Sequence, residues 1–201
     1  STMSDYDPAN PLIVQGDHSV LVEVASPRYE EARDGLVRFA ELIKSPEHIH
    51  TYRVTPLSIW NACAAGVAAD EIVDVLVRYS KYPVPEHVAV EIRDFASRYG
   101  RLQLTREDDA LVLHTDDAAL AEEIARNRHI APFLVARKGL GFRVDPEARG
   151  RIKQALIRIG FPAEDLAGYT QGEPLPLRLR EDTIAGEVFA MRAYQRDAAD
   201  A

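Results

Sequence analysis

The spacing of apolar residues along this chain changes several times, and each change marks a new element. Leu12 to Val14 and Val20 to Val24 are β-branched runs on either side of Gly16-Asp17, the pattern of a hairpin. From Tyr29 onward, Ala32, Leu36, Phe39, Ala40 and Ile43 recur at intervals of three and four, which predicts one amphipathic helix. His50 to Val54 reads as a short strand. Thr55 then offers an N-cap, with Pro56 at the first helical position and Gly66 as the stop. A second helix carries Ile72, Val73, Leu76 and Tyr79, and Pro83 and Pro85 break the chain after it. A third places Val88, Ile92, Phe95 and Tyr99 on one stripe and stops at Gly100. Leu102 to Leu104 and Ala110 to Leu113 follow as alternating strands around the polar turn Arg106 to Asp109. Three short helices followed by a hairpin is the order of a winged helix.

Beyond residue 115 the unit changes. Asp116 or Asp117 caps a helix through Ile124, and strands are expected near Phe133 to Ala136 and Leu140 to Val144. Asp145-Pro146 opens a helix whose buried stripe is Ile152, Leu156 and Ile159, ended by Gly160. Residues 161–190 are rich in Pro, Gly and acidic groups and read as a loop-heavy connector. The predicted class is α+β, with a winged-helix-like first domain and a small mixed α/β second one.

Composition narrows the setting. The 201 residues are 46% hydrophobic, enough for a buried core, and no apolar run approaches the roughly 20 residues of a membrane helix. No signal peptide precedes the first strand, and Ser1-Thr2 ahead of Met3 resemble a cloning remnant. A single cysteine, Cys63, cannot form an internal disulfide, which favours a reducing, cytoplasmic setting. The net charge of −8 is unevenly spread. Residues 1–100 hold nine basic and fifteen acidic residues, a balance of −6. Residues 126–158 hold nine basic and two acidic residues, a local +7 and the one stretch suited to phosphate.

No complete active site can be assembled from the sequence. A phosphate-cradling loop needs Gly-Lys followed by Ser or Thr, and no Gly-Lys pair occurs. Gly139-Leu140-Gly141 lies between strands and reads as a hairpin turn. Asp70-Glu71 opens a helix, where acids complement the dipole. His48 and His50 have no ligand partners at metal spacing, and His18, His87, His114 and His129 are scattered, so no metal site is expected. Cys63 has no basic neighbour and reads as a small buried hydrophobe.

The basic stretch admits two readings. Arg126, Arg128, Arg137, Lys138, Arg143, Arg149 and Lys153 form the candidate DNA-binding set, with Arg137, Lys138 and Arg143 on a short strand pair. Alternatively, Arg149 and Lys153 on one side of the Ile152 stripe, with Arg151 and Arg158 on the other, are the solvated borders of a buried face. The third helix, with Glu86, His87, Glu91, Arg93, Asp94, Ser97 and Arg98 outward, is too balanced in charge for DNA and suits a protein partner.

Longer segments carry a family resemblance. PLIVQGDHSVLVEVASPRYEEARDGL, SPEHIHTYRVTPLSIWNACAAG, YSKYPVP and SRYGRLQL resemble the N-terminal domain of bacterial XPB-type DNA repair helicases. GFRVDPEARGRIKQALIRIGFPAEDLAGY resembles that family's damage-recognition domain. Met191 to Gln195 resembles the entry to its first motor domain, with Ala193 where the family has proline. The resemblance implies an ATP-dependent DNA helicase of nucleotide excision repair that uses ATP and magnesium. It implies that Gln195 contacts the adenine, with Arg192 beside it, and that the catalytic motor motifs lie beyond Ala201.

On this basis residues 1–10 are a tag remnant and tail, and 11–100 a winged-helix-like protein-docking domain. Residues 101–181 are a damage-recognition-like domain that contacts DNA, and 182–201 a linker into the motor. The expected fragment is inactive alone, positioning a motor on DNA and on a partner such as a nuclease. The alternative is a purely protein-docking module.

Overall fold

The computed structural model describes residues 6–168, which divide into two compact units between Ala96 and Ser97. The fold is α+β, with two sheets and six helices among the described residues.

In the first unit, β1 (Leu12–Val14), β2 (Ser19–Glu23), β3 (Glu41–Lys44) and β4 (Ile49–Arg53) form an antiparallel sheet in the order β1-β2-β4-β3. The β1–β2 hairpin forms where the sequence predicts it, pairing Leu12 with Val22 and Val14 with Val20. Helices α1 (Tyr29–Leu36), α2 (Pro56–Ala64), α3 (Ala69–Tyr79) and α4 (Glu86–Arg98) supply the rest of the core. Leu12, Val20, Val22, Leu36, Ile59, Trp60, Ile72, Leu76 and Ile92 are all buried. Thr55 caps α2 through a reciprocal box, accepting from the Ser58 amide at 2.9 Å while the Ser58 hydroxyl accepts from the Thr55 amide at 2.8 Å. Gly66 leaves α2 at φ +91°, a conformation open to glycine at little cost.

The predicted helix from Tyr29 to Ile43 is corrected. α1 stops at Leu36, and Glu41–Lys44 is the strand β3. Three-and-four spacing continues through Phe39 and Ile43, but pairing overrides it. Glu41 lies opposite Arg53 and Leu42 opposite Tyr52, while Phe39 is drawn into the core. Gly35 weakens the helix near its end and lets α1 approach α3, since a Cβ there would sit 3.1 Å from Val75 Cγ1. The short arm before β1 is also built in. Asn10 is buried, donating to the carbonyls of Arg78 and Ser80 and accepting from Arg28 at 2.7 Å.

The second unit is a five-stranded sheet in the order β7-β8-β6-β5-β9. Its strands are β5 (Leu102–Glu107), β6 (Ala110–His114), β7 (Leu134–Lys138), β8 (Gly141–Val144) and β9 (Ala163–Asp165). Helices α5 (Ala118–Arg126) and α6 (Arg149–Arg158) cover one face. Leu102, Leu104, Leu111, Leu113, Phe142 and Val144 meet Leu120, Ile124, Ile152 and Leu156 there. Asp117 is the cap of α5, accepting from the Leu120 amide at 3.1 Å. The hairpin expected as a wing, β5–β6, instead occupies the interior of this sheet, flanked by β8 and β9. Its turn residues Asp108 and Asp109 take φ +48° and +66°, the left-handed pair of a tight hairpin turn.

The expected connector from residue 161 is also corrected at its start. Ala163–Asp165 forms β9, parallel to β5, and the Leu166 amide donates to the Leu104 carbonyl at 2.8 Å. A three-residue edge strand carries too little periodicity to stand out from loop composition. No helix among the described residues is long and apolar enough to cross a membrane.

Gly141 fixes the β6–β8 seam, since a Cβ there would lie 2.8 Å from the Leu113 carbonyl oxygen. Gly141→Ala is therefore expected to destabilise the second unit by about 1–3 kcal/mol, measured by chemical denaturation. An unchanged midpoint would show that the seam yields freely.

Candidate nucleic-acid interface

Alternation along the strands sorts the predicted cations. On β7, Arg137 lies opposite Phe142 and so projects to the helix-covered face. Its guanidinium sits 5.4 Å from the Phe142 ring centroid and donates to Glu122 at 2.6 Å and to the Gly139 carbonyl at 3.1 Å. The Arg137 hydrogen bond holds the Glu122 carboxyl below its ordinary pKa. Arg137 is thus a clasp between β7 and α5. Its sequence neighbour Lys138 projects to the opposite face, as does Arg143, which lies opposite Val112 and Ala136.

That helix-free face has its own structure. Glu107 accepts from Lys138 at 3.5 Å and contacts the His114 ring at 3.2 Å. The Glu107–His114 contact runs diagonally across the Thr105–Val112 pair. Val112, on this face, is only 3% exposed. The Thr105 hydroxyl is buried there without a hydrogen-bond partner. A shallow depression is bordered by Glu107, Asp108, Asp109, Val112, Lys138 and Arg143. Its carboxylates offset its cations, so it is not a positive cradle.

Arg149 and Lys153 are drawn together elsewhere, on α6, by an aspartate in the segment expected to be a connector. Asp165 of β9 accepts from Arg149 at 2.9 and 2.8 Å, in a two-pronged pair, and lies 3.1 Å from Lys153 Nζ. The Asp165 side chain is 8% exposed. Burial alone would push its carboxyl up. The Arg149 hydrogen bond, the Lys153 charge and the Ala167 amide outweigh that and hold it below the ordinary value. A lone aspartate in an acidic, proline-rich stretch gave no signal of this role.

Arg126 and Arg128 stand exposed at the end of α5 and just beyond it, and Arg143 is exposed on β8. The charge of Arg126 adds to that of Arg137 in holding the Glu122 carboxyl below its ordinary pKa. Arg151 instead lies 5.4 Å from the Phe133 ring. The structure therefore divides the seven candidates into a helix-side clasp, a pair committed to Asp165, and four exposed cations. Arg192 and Gln195 lie outside the described residues.

The other candidates resolve into packing roles. Cys63 is part-buried, and burial pushes its thiol pKa up. His87 contacts the Gly16 carbonyl at 2.9 Å and His18 contacts Glu91, joining α4 to the β1–β2 hairpin. His50 meets Tyr29 edge to face, and His48 is exposed beside Glu47. No three His, Cys, Asp or Glu residues converge as metal ligands among the described residues.

Residues 12–139 match the model of a family described as the helicase conserved C-terminal domain. The chain belongs to that family. Among curated relatives it is 50% identical over 192 residues to the DNA 3'-5' helicase XPB of Mycobacterium tuberculosis, covering 94% of this chain and 34% of that protein. It is 46% identical over 192 residues to the DNA 3'-5' helicase XPB of Kineococcus radiotolerans, with the same coverages of 94% and 34%. The general transcription and DNA repair factor IIH helicase/translocase subunit XPB of Schizosaccharomyces pombe is 31% identical over 128 residues, 63% of this chain and 16% of that protein. The chain is a homologue of bacterial XPB helicases and spans about a third of the length of these two bacterial relatives.

For this XPB homologue the Asp165 cluster carries a stability prediction. Asp165→Asn keeps one acceptor oxygen but removes the negative charge that faces Arg149 and Lys153, and is expected to cost about 2–3 kcal/mol, reduced from a fully buried pair because Arg149 is partly solvated. The folded-state pKa is lowered, so this stabilisation is present above the unfolded aspartate value of about 4. It is lost as pH falls through the lower folded-state value. The stability gap between wild type and variant, followed by urea titration, should be full near pH 6 and close on acidification. A pH-independent gap would assign the effect to packing.

Proposed function

We propose that this chain is the DNA- and partner-engaging front region of an XPB-type, ATP-dependent DNA helicase of nucleotide excision repair. The observation that carries the reading is the 50% identity to a DNA 3'-5' helicase over nearly the whole chain. The motor, with its ATP and magnesium, belongs to the remainder of such a protein. Arg192 and Gln195 would be its nucleotide-side contribution from this sequence.

Within the proposal the second unit is the damage-recognition-like element and meets the DNA backbone. Exposed Arg126, Arg128 and Arg143 are the proposed phosphate contacts, with Lys138, 71% exposed at its side chain but already within 3.5 Å of Glu107, as a secondary one. Arg137, Arg149 and Lys153 are removed from that role because their donors are already committed to Glu122 and Asp165. Separating Arg149 and Lys153 from Asp165 would leave a buried carboxylate unpaired, a cost that phosphate binding would have to exceed.

The first unit, with its four-stranded sheet and helices α1 to α4, is proposed as the protein-docking element. Its −6 balance over residues 1–100 disfavours DNA, and Val37, Leu42, Ile43 and Ile49 are exposed there. A repair nuclease is one partner class that fits this role.

Fluorescence anisotropy of the 201-residue chain with duplex DNA across a salt series tests the DNA assignment. Replacing Arg126, Arg128 and Arg143 together by Ala should weaken binding at least about tenfold and flatten the log–log salt slope by about one for each phosphate left without its arginine. Arg137→Ala should leave the slope intact. Binding and slope unchanged in the triple variant would reject the assignment.

A further inference from the structure

The β7–β8 hairpin closes through a two-residue loop, with Lys138 opposite Gly141 and Gly139-Leu140 between them. Gly139 has φ +61°, and Leu140 is not among the described residues with positive φ, which is the pattern of a type II′ turn. Such a turn needs glycine at its first central position, and Gly139 supplies it. The second central position makes no such demand, and a surface turn ordinarily fills it with a polar residue. Here it holds a leucine that is 39% exposed. Neither the turn nor solvation favours that choice.

The tip is held firmly. Arg137 Nε donates to the Gly139 carbonyl at 3.1 Å, and the same guanidinium donates to Glu122 of α5 while standing 5.4 Å from the Phe142 ring centroid. Behind the tip, the close approach of Gly141 to the Leu113 carbonyl seats β8 on β6. The surroundings are cationic. Residues 126–143 hold five Lys and Arg and no Asp or Glu. Arg126, whose charge reaches Glu122, belongs to the helix-covered side of the sheet, while Lys138 and Arg143 belong to the other. Glu122 and Glu107 take up part of this charge through Arg137 and Lys138. Arg126, Arg128 and Arg143 stand outside those two pairs.

We propose that Leu140 is an apolar wedge that enters a base step of duplex DNA while the cations around the hairpin hold the backbone on either side. The inference rests on the DNA-contacting reading of the second unit and names the residue that acts on the bases. Opening a base step costs stacking energy, which burial of the leucine between the bases and the added backbone contacts offset. A firmly held tip matters, because a loose loop would lose ordering entropy on entering the stack. Charge complementarity selects nucleic acid as the occupant, since an apolar tip flanked by cations matches base faces flanked by phosphates. Pyrimidine–purine steps unstack most easily and are the favoured points of entry.

The test uses the 201-residue chain and a duplex whose central TA step carries 2-aminopurine in place of adenine, between stiff A-tracts. Binding should raise the 2-aminopurine fluorescence at least about twofold as the base leaves the stack. Leu140→Asn suits the same turn and so keeps the hairpin. It should abolish the rise and leave the salt slope of binding unchanged, because no phosphate contact is lost. Leu140→Phe keeps an apolar wedge and should keep the rise. Duplex binding without a rise overturns the wedge and leaves the DNA-contacting reading standing, as does a rise that Leu140→Asn does not diminish. A chain that fails to bind the duplex at all rejects both.

Discussion

Period-two alternation, with helices on one face only, is the constraint from which most features of the second unit follow. On β7 and β8 it sends Phe142, Val144 and Arg137 toward α5 and α6, and Lys138 and Arg143 away from them. Two adjacent cations thereby acquire unrelated roles. Arg137 clasps a helix through Glu122, while Lys138 faces solvent beside Glu107. On the other face, Glu107 and His114 meet diagonally across the Thr105–Val112 pair, and Val112 is buried. The Gly141 approach to Leu113 keeps the β6–β8 seam narrow enough for this arrangement.

The Asp165 cluster shows the same constraint at the opposite edge. β9 is too short to be held firmly by its ladder to β5 alone. A largely buried carboxylate that accepts from Arg149 and faces Lys153 adds a charged anchor between that strand and α6. The charge density that marks residues 126–158 as an anion-binding candidate is thus partly neutralised inside the unit. A formal +7 over the stretch overstates what remains for a ligand, because Glu107, Glu122 and Asp165 approach it from outside that sequence window.

Much of the fold is legible in residue types alone. Local signals act over a few residues, so the Thr55-Pro56 start, the Gly66, Gly100 and Gly160 stops, the Asp117 cap and the Gly139 turn all fall where the residue types place them. Phe39 to Ile43 misleads because an interval of three or four suits a helix, while the pairing of Glu41 and Leu42 with β4 decides for a strand. The expected wing is a correct hairpin in the wrong setting. Strands β8 and β9, distant in sequence, flank it in a sheet.

The α+β class, the sites of most helix starts and stops, and the family resemblance are legible in the residues alone. Those depend on residue type and short-range spacing. Tertiary structure alone decided which cations are exposed, since that depends on partners tens of residues away. It made Asp165 an anchor and Arg137 a clasp. Arginine reads the same in a sequence whether its guanidinium faces a buried carboxylate or water, and only the fold supplies the neighbour.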